Sequence, residues 1–136
     1  MSPHAQDTTP VLYSASQWSI VVVPAVATWL GELLESEPES AALVASALDV
    51  LGDHGPHLGR PLVDMLRGSS IANLKELRPG SRGSSEIRIL FVFDPKRRAV
   101  LLTAGDKAGQ WSAWYAINIP IAERSYAAWL ADGATP

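Results

Sequence analysis

Residues 84–107 read SSEIRILFVFDPKRRAVLLTAGDK. Ile87, Ile89, Phe91 and Phe93 alternate with Arg88, Leu90 and Val92. A period of two belongs to a strand, because successive side chains point to opposite faces of a sheet. Asp94-Pro95-Lys96-Arg97 is a polar turn whose proline pre-sets φ. Beyond it, Ala99 to Thr103 forms a second apolar strand. Strands joined by so short a turn lie antiparallel, so this hairpin decides the fold. It also carries five cations, Arg88, Lys96, Arg97, Arg98 and Lys107, around two apolar runs. A cation inside a strand must be solvated, paired or used, since burying it alone is costly.

Working upstream, NLKELR (73–78) reads as a strand ended by Pro79-Gly80 and a flexible loop, which makes the hairpin a three-stranded meander. LVDMLRG (62–68) is expected to be a short helical turn, and GDHGPHLGRP (52–61) is turn-rich. QWSIVVV (17–23) suits a buried strand. Pro24 then fits the first turn of a helix. Val26, Trp29, Leu30, Leu33 and Leu34 fall at i, i+3, i+4, i+7 and i+8, one apolar helical face. Pro38 opens a second helix with Val44, Ala47, Leu48 and Leu51 inward, and Gly52 is placed to stop it. Downstream, Asn118 is positioned as a cap with Pro120 in the first turn of a helix reaching about Leu130. Its expected core contacts are Ile121, Trp129 and Leu130. The order β-α-α-β-β-β-α defines an α+β fold: a small antiparallel sheet with two N-terminal helices packed on it and a C-terminal helix. A loose tail over residues 1–12 precedes a single domain spanning 13–132.

Composition narrows the chemistry. At 136 residues, 47% apolar and 18% charged, the chain has the makeup of one soluble domain with a real core. It has no cysteine, which removes disulfides and thiolate sites and fits the cytoplasm. Residues 8–31 are uncharged, but their dense apolar part is only Ile20 to Leu30, shorter than the roughly 20 residues of a membrane span. The first Lys or Arg is Arg60, so the basic start of a secretory leader is missing. His54 and His57 beside Asp53 sit in a Gly/Pro loop without a third histidine, so no metal is expected. Nucleophile-elbow, phosphate-loop and dinucleotide motifs are missing, so no cofactor is expected. Net charge is −3, yet residues 1–65 hold eight carboxylates against one arginine (−7) and residues 66–136 hold ten cations against six carboxylates (+4). Such asymmetry fits either a polyanion-binding face or ordinary solvated charge.

The cations are therefore the candidates: Lys75 and Arg78 on the first meander strand, Arg82 in its loop, Arg88 on the middle strand and Lys107 after the last. Neighbouring strands lie about 4.8 Å apart, so side chains sharing a face converge within reach of a phosphate. Arg88 either pairs with Glu86 or Glu76 or grips a phosphate in bidentate fashion, and spacing alone leaves both open. Trp111, Trp114 and Tyr115 either stack RNA bases or anchor the final helix. Anchoring is the expected role of the tryptophans; for Tyr115 both roles stay open, because its hydroxyl suits a polar site.

Three segments, LGRPLVDMLRGSSIANLKELRPG, EIRILFVFDPKRRAVLLTAGDK and WYAINIPIAERSYAAWL, in that order and spacing, resemble the HigB branch of the RelE/ParE toxin superfamily over residues 18–131. The resemblance implies a RelE-like fold. It also implies the toxin of a type II toxin–antitoxin pair, a metal-independent endoribonuclease that cleaves translated mRNA on the ribosome and blocks translation. The implied partners are a HigA-like helix-turn-helix antitoxin and, only through that antitoxin, operator DNA. Matched by position, Arg88 would grip the scissile phosphate. Lys75 and Arg78 would stabilise charge, Lys107 matches the lysine after the last strand, and Tyr115 would supply a proton or a stacking plane. Arg82, Trp111 and Trp114 would contact RNA. The related ParE branch targets DNA gyrase, and a partner-binding domain of the same fold with weak catalysis is the remaining alternative.

Overall fold

The computed structural model describes residues 11–13 and 17–132. Six strands and three helices follow one another as β1 (Val11–Tyr13), β2 (Ser19–Val22), α1 (Pro24–Ser36), α2 (Pro38–His54), β3 (Val63–Met65), β4 (Lys75–Leu77), β5 (Ile87–Asp94), β6 (Arg98–Asp106) and α3 (Ser112–Ala131). The sheet order is β1-β2-β6-β5-β4-β3. The expected meander is its centre, with β4, β5 and β6 antiparallel in turn. β2 joins β6 in parallel, which makes the sheet mixed. Of the residues read as a tail, 1–10 lie outside the described ones, and Val11 and Leu12 belong to β1.

The hairpin register explains how the faces divide. Arg88 stands opposite Gly105, Leu90 opposite Thr103 and Asp94 opposite Arg98. A bulge between Leu90 and Phe91 shifts the pairing by one and inserts Leu102 into β6. Arg88, Leu90, Thr103 and Gly105 thus share the face that α3 covers: Trp114 packs on Gly105, Asn118 bonds Thr103, and Trp129 stacks on Arg98. Ile87, Ile89 and Phe91 look the other way with Ile20 and Val22, all fully buried. The α1–α2 hairpin closes that side with Val26, Leu33, Val44, Leu48 and Leu51.

Three local expectations change. Val63–Met65 is an edge strand rather than a helical turn. Three residues carry too little periodicity to signal a strand, and pairing with β4 decides the matter. The second helix runs through Gly52 and stops at Gly55, whose φ of 57° is left-handed and where any side chain would run into the Trp18 indole. The last helix starts at Ser112, so Asn118 and Pro120 lie in its interior. Asn118 is buried, accepting from Thr103 Oγ1 and donating to the Trp114 carbonyl. The helix continues through Pro120 even though the proline has no N–H to donate to its ladder.

Candidate nucleic-acid cleavage site

The site forms where the ends of β4, β5 and β6 meet the first turns of α3. Its centre is a carboxylate. Glu76 stands opposite Leu90 on β4 and shares the α3 face, and only 1% of it is exposed. Tyr115 donates its hydroxyl proton to Glu76 Oε1 at 2.6 Å. Arg78 donates to Glu76 Oε2 from Nε at 3.0 Å and from Nη2 at 2.7 Å, and Nη2 also reaches Asp64 Oδ2 at 3.0 Å. Every hydrogen-bonding arm of Glu76 is therefore engaged from one side or the other.

Arg88 is held differently. Its Nη1 donates to the Ile87 carbonyl at 2.8 Å, its Nη2 meets Glu86 only at 3.4 Å, and its Nε lies 3.7 Å from Glu76 Oε1. That Nε is buried without a hydrogen-bond partner among the described residues. Leaving a guanidinium N–H dry costs more than the loose ion pairs return, so Arg88 is the cation in this cluster with bonding capacity to spare.

Lys107 follows β6, its N–H bonded to the Glu86 carbonyl. Its own carbonyl accepts from both Gln110 and Trp111, so the chain doubles back and lays rings against the ammonium. Lys107 Nζ lies 4.5 Å from the Trp111 ring centre and 5.3 Å from that of Tyr115. Burial and the neighbouring Arg88 charge lower its pKa below the usual lysine value, against the pull of Glu76 and Glu86. Burial, then the hydrogen bond and charge of Glu76, push the Tyr115 phenol up to about 12, with Arg88 opposing. Arg78 is raised despite its burial, because Glu76 and Asp64 hold the charged form.

The structure brings Arg88, Arg78, Lys107, Tyr115 and Trp111 together, sets Lys75 and Arg82 apart, and buries Trp114 edge-on to Tyr115, 5.2 Å between ring centres. Lys75 stands opposite Phe91 and Met65, on the face away from Glu76. Arg82 lies by a different hollow of about 580 Å³ between the α1–α2 turn and the β4–β5 loop, its N–H donating to Ser40 Oγ. Trp114 is 3% exposed and wedged against Gly105, the anchoring role. Trp111, at 59% exposed, is open for stacking. On its flank Tyr115 borders an open hollow of about 280 Å³ with Arg67, Ile119, Pro120 and Glu123. His54 and His57 line a separate hollow with Asp53, and among the described residues no group of three or more His, Asp or Glu is placed to hold a metal. Glu76 is the residue the sequence reading passed over as chemistry, naming it only as a possible pair for Arg88. Its one signal was the strand alternation that puts it on a face with Leu74 and Arg78.

The RelE-like α+β architecture, with a cationic and aromatic hollow at one end of the sheet, defines the class. Residues 31–127 match the family model described as "Phage derived protein Gp49-like (DUF891)". Two proteins of Mycobacterium tuberculosis (strain ATCC 25618 / H37Rv) are close relatives. The one named "Putative toxin HigB2" is 50% identical over 110 residues, covering 81% of this chain and 53% of its own length, so the match spans about half of that relative. The one named "Putative toxin HigB3" is 46% identical over 114 residues, covering 84% of this chain and 95% of its own. The chain belongs to the Gp49-like family of HigB-type toxins.

Proposed function

We propose that the protein is the toxin of a type II toxin–antitoxin pair, a ribosome-dependent endoribonuclease that cuts translated mRNA in the cytoplasm. A HigA-like helix-turn-helix antitoxin holds it inactive and carries any contact with operator DNA. The observation that carries this reading is Arg88: a mostly buried guanidinium with an unpartnered Nε, flanked by Lys107 and Tyr115 and beside an exposed tryptophan. Arginine grips phosphate in bidentate fashion, and Trp111 offers a stacking surface to an unpaired base.

The chemistry asks for no metal. The substrate's own 2′-hydroxyl is the nucleophile, so the protein has to orient the chain, stabilise charge on phosphorus and move two protons. Arg88 neutralises the phosphate as it gains charge. The Lys107 ammonium, with a lowered pKa, supplies a proton to the departing 5′-oxygen. Arg78 adds field from behind Glu76.

The test is induced expression of wild type and Arg88→Ala, with transcript ends mapped in cells and cleavage measured on translating ribosomes. Wild type should cut within translated codons, and the variant, folded by circular dichroism, should lose about 10²–10³-fold in rate. Equal rates would remove Arg88 from the mechanism. DNA breaks without RNA cuts would make gyrase the target. A second reading, a partner-binding domain with weak catalysis, draws support from the way Glu76 and Asp64 occupy Arg78. It expects growth arrest to be absent and antitoxin binding to be intact.

A further inference from the structure

A ribonuclease of this kind needs a group to take the 2′-hydroxyl proton, and the site's cations cannot be that group. In the reading above Lys107 is the acid, and an arginine guanidinium has no proton acceptor to offer. Two carboxylates lie near the phosphate-binding position. Glu86 is at the rim, its side chain 42% exposed and 3.4 Å from Arg88. Glu76 is in the centre, but at 1% exposure it touches no substrate directly.

Tyr115 connects Glu76 to the open side. Because the carboxylate can only accept, the Tyr115 proton is committed to Glu76 Oε1 at 2.6 Å. The phenol oxygen therefore turns lone pairs rather than a proton toward Arg88, which opposes Glu76 on the phenol by hydrogen bond and charge. In the first step Tyr115 is arranged to receive a proton, not to give one.

We infer that Glu76 acts as the base of the cleavage step through Tyr115, a relay that rests on the ribonuclease reading above. As the 2′-oxygen bonds to phosphorus, its proton passes to Tyr115 Oη and the Tyr115 proton passes to Glu76 Oε1. The bond from phosphorus to the 5′-oxygen breaks, and that oxygen takes a proton from Lys107. The products are a 2′,3′-cyclic phosphate and a 5′-hydroxyl. Glu76 ends protonated and Lys107 neutral, and solvent returns the proton from one to the other. Glu76 acts only through Tyr115 and is in that sense a positioning residue. Arg78, bound to Glu76 and Asp64, fixes the carboxylate.

The groups that face Tyr115 are Glu76 from β4, Arg78 just past its end, Arg88 from β5 and Lys107 from the turn before α3, with Trp114 beside it on α3 and Arg67 and Glu123 around the flanking hollow. Of these, Glu76 raises the phenol pKa by both its hydrogen bond and its charge, and Arg88 lowers it. A charge-neutral Glu76→Gln must therefore bring the phenol back down.

The experiment uses the full chain on translating ribosomes, under single-turnover conditions, with Glu76→Gln, Tyr115→Phe, the double variant and Glu86→Gln. Tyr115 is titrated by ultraviolet absorbance, using Tyr115→Phe to subtract Tyr13 and Tyr126. Each of E76Q and Y115F should slow cleavage by about 10²-fold or more. The double variant should fall no further than a few-fold below either single, E86Q should lose less than either single, and the phenol of E76Q should titrate clearly below about 12. Additive losses, an unmoved phenol titration, or a loss confined to E86Q would each overturn the relay while leaving the ribonuclease reading intact. A wild type that cuts no RNA would sink both. Should E76Q fail to fold, E76Q/R78Q removes both charges together and answers the same two questions.

Discussion

At the residue scale, the site depends on the uneven treatment of two arginines. Arg78 and Arg88 share one face and one carboxylate, yet Arg78 donates two close bonds to Glu76 and one to Asp64, while Arg88 Nε stands 3.7 Å off. The difference follows from register: Arg78 lies two residues past Glu76, just beyond the end of β4, and Arg88 reaches across from β5. On the ribonuclease reading proposed above, Lys107 carries the pH dependence: its ammonium is the active form, and its folded pKa lies below the usual lysine value of 10.5. Cleavage is therefore retained below that lowered pKa and lost as pH rises through it, before Tyr115 ionises at about 12. In Lys107→Arg the alkaline loss should vanish from a pH–rate profile up to about pH 10, since a guanidinium holds its proton above about 12. A loss that persists unchanged in this variant would assign it to another group.

At the element scale, α3 is what turns a strand surface into a hollow. Trp114 seats the helix on β6 at Gly105, where an added Cβ would stand 3.0 Å from Trp114 Nε1. The next residue, Tyr115, is then carried over Glu76. Gly105→Val should push the indole outward, cost about 1–3 kcal/mol in urea unfolding, and lower cleavage because Tyr115 leaves with the helix. Undiminished stability would mean that the indole has room to turn aside. The C-terminal helix also shows how far local signals reach. Asn118 and Pro120 look like a helix start, but the helix has already begun at Ser112, with Trp114 seated on β6 at Gly105. The bond between Asn118 and Thr103 spans 15 residues, beyond any window that caps are read from.

At the scale of the whole molecule, the acidic helical hairpin and the cationic site end up on opposite faces of the sheet, which leaves one end cationic within a chain of net charge −3. Glu123 ties the site helix to the β3–β4 loop, accepting from the Ser70 N–H and the Ser69 hydroxyl at 2.8 Å each. Those two bonds hold its carboxyl below the usual 4.5, the Ser70 N–H first. A depressed folded pKa adds stability that is present above the unfolded pKa and lost as pH falls through the folded one. Wild type should therefore be more stable than Glu123→Gln at pH 7, and the gap should close towards pH 3 in urea titrations. A gap that is constant with pH would show that the charge plays no part.

The central meander, the helical hairpin and the identity of the cations were all legible in the sequence. Period-two and period-3.6 patterns are local, and each is written in a few consecutive residues such as IRILFVF or VATWLGELL. What the sequence left open was which cations meet. Lys75 and Arg78 differ by an odd number of positions on a strand, which puts them on opposite faces, but only the pairing with β5 decides which face is the site. Glu76 reads as an ordinary acid until Tyr115, 39 residues away, and Arg78 converge on it. The chain by itself fixed the central strands, the helical hairpin and the family. Only the folded sheet, by bringing distant residues within hydrogen-bonding range of one buried carboxylate, set which side chains are spent on structure and which remain available for chemistry.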